Sequence, residues 1–255
     1  MNRELVIPPS HPRYASLMGR EKIVTGFKDG VVAAEGLIAH GRGECFDYLI
    51  GEQTQDFALR AIDAAASQLL IASYPVFSIN GNVAALCGDI ISSLNSVIEH
   101  SAVEINLFYY TREREQNITN MLRKHGLTKM LGTDPSNLVK IPELESNRRF
   151  VDSRGIFQAD TVFVPLEDGD RTMALKKMNK KVITIDLNPL SRTSQVSDIT
   201  IIDNIVRAIP LLLERIKFHK QNSNYDQLRE LIDGFDNKRA LSQALDLMRV
   251  GAVSR

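Results

Sequence analysis

Tyr74-Pro75-Val76-Phe77-Ser78-Ile79-Asn80-Gly81-Asn82-Val83-Ala84-Ala85-Leu86 decides the fold. A short β-branched and aromatic run, Val76 to Ile79, gives way at Asn80-Gly81-Asn82 to a helical pattern extending from Val83 to Glu99. Beyond it the same alternation repeats. Apolar runs at Val103 to Tyr109, Thr161 to Val164, Val182 to Ile185 and Ile199 to Ile202 are separated by helical patterns at Glu113 to His125, Asp170 to Asn179 and Ile205 to Phe218. Parallel strands need crossovers, and continuously apolar strands are those covered on both faces. The expected fold is therefore α/β, a Rossmann-like doubly wound parallel sheet. Before Pro75, residues 1–72 read as a mainly helical N-terminal part, interrupted by the glycine-rich piece Gly36 to Gly43. After the sheet core of residues 73–221, residues 222–255 read as C-terminal helices, Tyr225 to Ile232 and Lys238 to Val250, with Leu241, Ala244, Leu245 and Met248 on one stripe. Such a pair must bury that stripe on its own sheet or on a second subunit.

Length and composition agree with one α/β domain over residues 1–255. Thirty-one Lys and Arg balance 31 Asp and Glu, so no general field attracts nucleic acid or an anionic membrane. The longest uncharged stretch, Ala64 to Gly88, is broken by Gln68, Pro75, Asn80, Gly81 and Asn82, which a lipid-exposed helix would have to hide. Met1 to Pro12 lacks the apolar segment of a secretory signal. Cys45 and Cys87 form no CxxC pair and read as two buried thiols. A cytoplasmic protein is expected.

Open parallel sheets bind ligands at the carboxyl ends of their strands, so the residues just after each strand come first. Asn80-Gly81-Asn82 opens a helix whose N-terminus suits an anion, or is a plain cap built on asparagine. Glu167, Asp168 and Asp170 offer three carboxylates as Mg²⁺ ligands or, the favoured reading for Asp168 and Asp170, as helix-capping acids. Asp186-Leu187-Asn188 followed by Ser191-Arg192-Thr193-Ser194 combines an acid suited to ribose hydroxyls with donors suited to phosphate. Asp203-Asn204 repeats the pattern at the next strand.

Arg13, Arg20 and Arg42 stand among apolar residues or glycines, which marks them as candidate phosphate clamps. His100, His125 and His219 fall at helix ends and read as structural; His11 and His40 remain for chemistry. There is no GxxxxGK[ST], HExxH or GxSxG, and Phe46 stands where a dinucleotide fingerprint needs its third glycine. The connection Gly126 to Gln158, with Arg148, Arg149 and Arg154 close together, is long enough to be functional or a lid.

Longer blocks then carry a resemblance. Ser10-His11-Pro12-Arg13-Tyr14, Gly36-Leu37-Ile38-Ala39-His40-Gly41-Arg42-Gly43-Glu44, Ser78-Ile79-Asn80-Gly81-Asn82, Val164-Pro165-Leu166-Glu167-Asp168-Gly169-Asp170 and Ile185-Asp186-Leu187-Asn188-Pro189-Leu190-Ser191-Arg192-Thr193 resemble the archaeal phosphopantothenate synthetase family over nearly the whole chain. The resemblance implies a homodimeric ligase of coenzyme A biosynthesis that takes ATP with Mg²⁺, 4-phosphopantoate and β-alanine, and releases AMP and pyrophosphate. It places ATP contacts on Arg20, Arg42, Asp186, Leu187, Asn188, Arg192, Thr193, Asn204 and Ile205. Arg42 and His40 are then the candidates for the chemical step, His40 as a transition-state donor or a turn residue. Arg13 and Asn80-Gly81-Asn82 are the candidates for the acid substrate, and no metal ligand is named. A small-molecule kinase and a non-catalytic nucleotide-binding module are the alternatives.

Overall fold

The computed structural model describes residues 7–142, 145–166 and 168–251. Its strands are β1 (Pro75–Ile79), β2 (Ala102–Ile105), β3 (Leu138–Lys140), β4 (Phe150–Asp152), β5 (Thr161–Pro165), β6 (Lys181–Ile185) and β7 (Ile199–Ile201). Its helices are α1 (Tyr14–Lys28), α2 (Ala34–Leu49), α3 (Asp56–Ile71), α4 (Gly81–Val97), α5 (Arg112–Lys124), α6 (Gly169–Lys177), α7 (Arg192–Val196), α8 (Ile205–Asn222), α9 (Tyr225–Asp233) and α10 (Asn237–Val250). Five strands form one sheet in the order β2-β1-β5-β6-β7, all neighbours parallel, while β3 and β4 form a separate antiparallel pair. Counted within the large sheet, that order is 2-1-3-4-5, a doubly wound topology whose direction reverses between β1 and β5.

Successive residues of each strand enter two different cores, which is why the strands read as unbroken apolar runs. Phe77, Ile79, Phe163, Ile183 and Ile185 meet Ala61, Leu69, Ile91, Leu94, Ile209 and Leu212 of α3, α4 and α8. Val76, Val162, Val164 and Val182 meet Val151, Ile156, Ala174 and Leu175 on the other face. The terminal helices bury their stripe on this chain, with Ala240, Leu241 and Ala244 in the larger core.

Three expectations are corrected. The glycine-rich piece is helical: α2 runs unbroken through Gly36, Gly41 and Gly43. A helix-interior glycine costs roughly 0.5–1 kcal/mol, and at Gly36 close packing explains it, since a Cβ there would lie 2.3 Å from Asn82 Oδ1. Second, β2 stops at Ile105 rather than Tyr109. Asn106 still donates to Ile79 O at 3.0 Å, but its side chain turns to Phe150 O at 2.8 Å, and the chain leaves the sheet with Phe108, Tyr109 and Tyr110 exposed. Third, Cys45 is exposed and only Cys87 is buried, because Cys45 lies on the solvent side of α2. The long connection carries the β3–β4 hairpin, whose three-residue strands are too short to be seen as a pattern.

Candidate active site

A cavity of about 830 Å³ opens where the strand order reverses, beyond the carboxyl ends of β1, β5 and β6. Asn80 ties the two sides of the switch point together. Its Oδ1 accepts Val83 N–H at 3.1 Å, capping α4, and its Nδ2 donates to Leu166 O at 3.1 Å beyond β5. Gly81 is required by close approach, since a Cβ would stand 2.2 Å from Val31 O. Asn82 donates to Gly36 O at 2.9 Å and so fixes α2 across the cavity. The capping reading of this segment is borne out, and the N-terminus of α4 lines the cavity.

From α2, His40, Arg42, Gly43 and Glu44 also line it. Burial lowers the pKa of His40, against the pull of Glu44, which keeps the ring neutral near pH 7. His40 Nε2 is enclosed with no hydrogen-bond partner among the described residues. Burial would raise the Glu44 carboxyl, but hydrogen bonds from Arg20 and Ser16 outweigh it and hold it below its ordinary range. Arg20 is bound to Glu44 at 2.8 Å. Arg13 stacks over Tyr48, 4.8 Å from the ring centroid, with Glu44 and Glu52 nearby. Neither Arg13 nor Arg20 lines the cavity; both reach it through Glu44.

Asp186, Leu187, Asn188, Arg192, Thr193, Asn204 and Ile205 line the opposite wall, as the sequence groups them. Asp186 accepts from Asn188 N at 2.9 Å and from the Ser191 hydroxyl. Burial raises its pKa, opposed by those bonds and by Arg42. Gly169 lets α6 press against α7, since a Cβ would meet Arg192 Cβ at 2.5 Å. Arg192 pairs with Asp170 at 2.8 Å, both largely exposed, a weak surface contact that leaves the guanidinium easy to redirect. Asn204 caps α8 and donates to Asp47 at 2.8 Å, so its side chain belongs to a buried network of Asp47, Asp203 and Arg207 that joins α2 to α8.

Sequence reasoning missed several lining residues: Phe108, Tyr109, Arg114 and Arg148. Arg148 is 7% exposed, and its Nη1 meets Asp168 at 3.3 Å. Burial and the neighbouring Arg171 bring its pKa down to about 10. Arg171 is also buried, donates to Ser78 at 3.0 Å and is lowered to about 10 by burial, against the pull of Glu104 and Asp168. The run of arginines at 148, 149 and 154 was the available signal; the hairpin that brings only one of them to the cavity was not visible. Asp168 caps α6 through Arg171 N–H, as the capping reading held, while Glu167 lies outside the described residues. Among the described residues, no group of three acids, histidines or cysteines is placed to hold a metal ion.

Fold and cleft together define a doubly wound α/β protein whose mainly apolar pocket, set with charged groups of both signs, occupies the switch point, where such sheets bind their ligands. Residues 57–251 match the family model described as phosphopantothenate/pantothenate synthetase. The chain is 50% identical over 240 residues to the 4-phosphopantoate--beta-alanine ligase of Thermococcus kodakarensis, covering 94% of this chain and 90% of that protein. It is 51% identical, with the same coverage, to the protein of that name in Thermococcus onnurineus, and 48% over 239 residues to that of Methanosarcina mazei, covering 94% and 92%. The chain belongs to the phosphopantothenate/pantothenate synthetase family.

Proposed function

We propose that this chain joins 4-phosphopantoate to β-alanine at the expense of ATP, releasing AMP and pyrophosphate, as a step of coenzyme A biosynthesis. Identity of about one residue in two, over 94% of the chain, to relatives named for that reaction carries the reading. The cleft supports it, because eight of the nine residues expected to contact ATP, all but Arg20, line one cavity.

A carboxylate acylates poorly. Its oxygen therefore attacks the α-phosphorus of ATP, the bond to pyrophosphate breaks, and an acyl adenylate forms. The amine of β-alanine then attacks the acyl carbon, loses a proton, and expels AMP. Both partners in the first step are polyanions, so fixed positive ends must offset their repulsion. Arg42 and Arg192 clamp phosphates, Asp186 takes the ribose hydroxyls, and the N-terminus of α4 at Gly81 and Asn82 faces an anionic group. Arg20 and Arg13 hold Glu44, one helical turn from His40, and thereby fix α2, which also carries Arg42. Neutral His40 donates a hydrogen bond to developing negative charge.

Asp168, which lines the cavity, would be the carboxylate available to a Mg²⁺ ion that accompanied the nucleotide. The ion would neutralise phosphate charge there. Zero formal charge supports small-molecule substrates over nucleic acid, and no described helix is long and apolar enough to cross a membrane. We assign a cytoplasmic homodimer.

Incubation with ATP, Mg²⁺, 4-phosphopantoate and β-alanine is expected to give AMP and phosphopantothenate, dependent on both acids. ADP as product would establish a kinase-type reaction instead, and bound ATP without turnover a binding module.

A further inference from the structure

We infer that a second cavity, at the β2 edge of the sheet and separate from the cleft, is a binding site for a small phosphate, either inorganic phosphate or a phosphate monoester. It stands independently of the ligase reading. After α5 the chain runs alongside β2: Leu131 N–H donates to Val103 O at 2.8 Å, and Leu131 O accepts Ile105 N–H at 3.0 Å, a parallel extension of the sheet by one short segment. Between that segment, α5 and the turn after β4 lies a cavity of about 290 Å³, at the lower end of the range of about 300–1,000 Å³ for small-molecule sites. Its lining includes Thr119 and Arg123 of α5, Lys129 and Thr133 of the segment, and Arg154. None of its lining residues is acidic, and none is shared with the cleft.

One buried acid sets the walls. Asp152, fully buried, accepts from Arg154 Nε and Nη2, each at 3.0 Å, and from Gly132 N–H at 3.2 Å, between Leu131 and Thr133. The Tyr74 hydroxyl donates to Arg154 O at 2.7 Å and fixes the same residue from its backbone. The bond to Asp152 raises the pKa of Arg154, so this side chain stays a cation, and with 56% of it exposed its other N–H groups are open to a ligand. Arg123 and Lys129 have no carboxylate partner among the described residues. Arg123 lies in the last turn of α5, where a cation also suits the dipole, but Lys124 beside it serves that end and does not line the cavity. The other acid nearby, Asp134, is already bound to Ser136 N–H at 3.0 Å and Asn137 Nδ2 at 2.7 Å. Three cations thus face two engaged carboxylates, a surplus that repels a metal ion and suits an anion. Thr119 is 7% exposed, lines the cavity, and has no partner for its hydroxyl among the described residues. A buried hydroxyl facing a polar concavity calls for a ligand or solvent partner. Guanidinium, ammonium and hydroxyl donors around one small space match the oxygens of a phosphate. The cavity adjoins the open end of the β3–β4 hairpin, since Thr133 precedes β3 and Arg154 follows β4, so a bound phosphate ties the two ends of that hairpin together.

The test titrates inorganic phosphate and glycerol 3-phosphate by calorimetry into the full chain, with and without saturating ATP–Mg²⁺, and follows thermal melts in the same solutions. The parent protein is expected to bind phosphate with or without ATP and to melt at a higher temperature when it is bound. Arg123→Gln combined with Lys129→Gln should raise Kd for phosphate ~10–30-fold, and Thr119→Val about threefold, whereas Arg42→Ala in the cleft should change it less than about twofold. Arg123 and Lys129 are exposed, so without phosphate the double variant should melt with the parent and bind ATP as the parent does. Tighter binding of glycerol 3-phosphate would identify a monoester as the occupant, and tighter binding of inorganic phosphate the free ion. The site is overturned if neither probe binds, if the double variant leaves Kd unchanged, or if ATP or Arg42→Ala abolishes binding, which would put the anion in the cleft. Equal weakening by chloride at matched ionic strength would also overturn it, as plain screening of surface charge.

Discussion

Replacing Arg207 with methionine is expected to unfasten α8 from α2 beside the cleft. Arg207 stands between two buried carboxylates, its Nε 2.9 Å from Asp203 Oδ1 and its Nη1 3.2 Å from Asp47 Oδ2. Asp203 is fully buried, and burial raises its pKa, with Arg207 the strongest opposing influence. Methionine keeps much of the packing of the stem but leaves both acids without their cation, and breaking a buried pair in this way costs about 3–5 kcal/mol. The Arg207 side chain retains 23% exposure, so solvent screens part of the pair and the lower end, about 3 kcal/mol, applies. For a chain of this size Tm should then fall roughly 6–12 °C.

The pH dependence has a definite sign. A carboxyl whose folded pKa lies above its unfolded value binds more protons in the folded state, so stability declines as pH rises through that interval. Without the guanidinium the interval widens upward, and the deficit of Arg207→Met should be larger at about pH 8 than at about pH 5. Because Asp47 also holds Asn204, the KM for ATP should rise in the same variant. Thermal melts at the two pH values, with ATP kinetics alongside, decide the matter. A Tm within about 2 °C of the parent, or a deficit equal at both pH values, would refute the reasoning.

Alanine at Arg42 should lower kcat/KM at least ~10²-fold with the melt unchanged, and near-normal turnover would remove it from the clamp. Gly81→Ala forces a Cβ to 2.2 Å from Val31 O and should cost about 1–3 kcal/mol, whereas Gly41→Ala, in the same neighbourhood but with nothing within 4 Å, should leave stability unchanged or raise it. Equal melts for the two would contradict the close-approach argument. A thiol reagent should modify one cysteine in the native protein, the exposed Cys45, while Cys87, whose thiol is pushed up to about 12 by burial, should react only on unfolding.

The sheet was legible because both faces of β1, β5, β6 and β7 are buried, which writes each strand as an unbroken apolar run followed by turn residues. At β2 that logic overreached: Leu107, Phe108 and Tyr109 continue the apolar run, but Asn106 spends its amide on the hairpin and ends the strand. At α2 the error ran the other way. Glycines signal a loop by their freedom, yet Gly36 is there for lack of a side chain against Asn82, a contact with residues far along the chain that no local reading contains. The polar residues that follow β6 and β7 were legible as a group for the same reason as the strands, because side chains just after parallel strands open at one edge of the sheet, and there they line one cavity. Arg148 follows no strand of the large sheet. It arrives on a hairpin pinned by Glu104 and Asn106, two polar residues beside the β2 end that carry no motif.

Activation of the acid at the α-phosphorus of ATP is the central claim, and oxygen transfer tests it most directly. With 4-phosphopantoate labelled with oxygen-18 in its carboxylate, ATP, Mg²⁺ and β-alanine, the account predicts one labelled oxygen in the phosphate of the AMP formed. Label in inorganic phosphate released with ADP would show attack at the γ-phosphorus and contradict the acyl adenylate route.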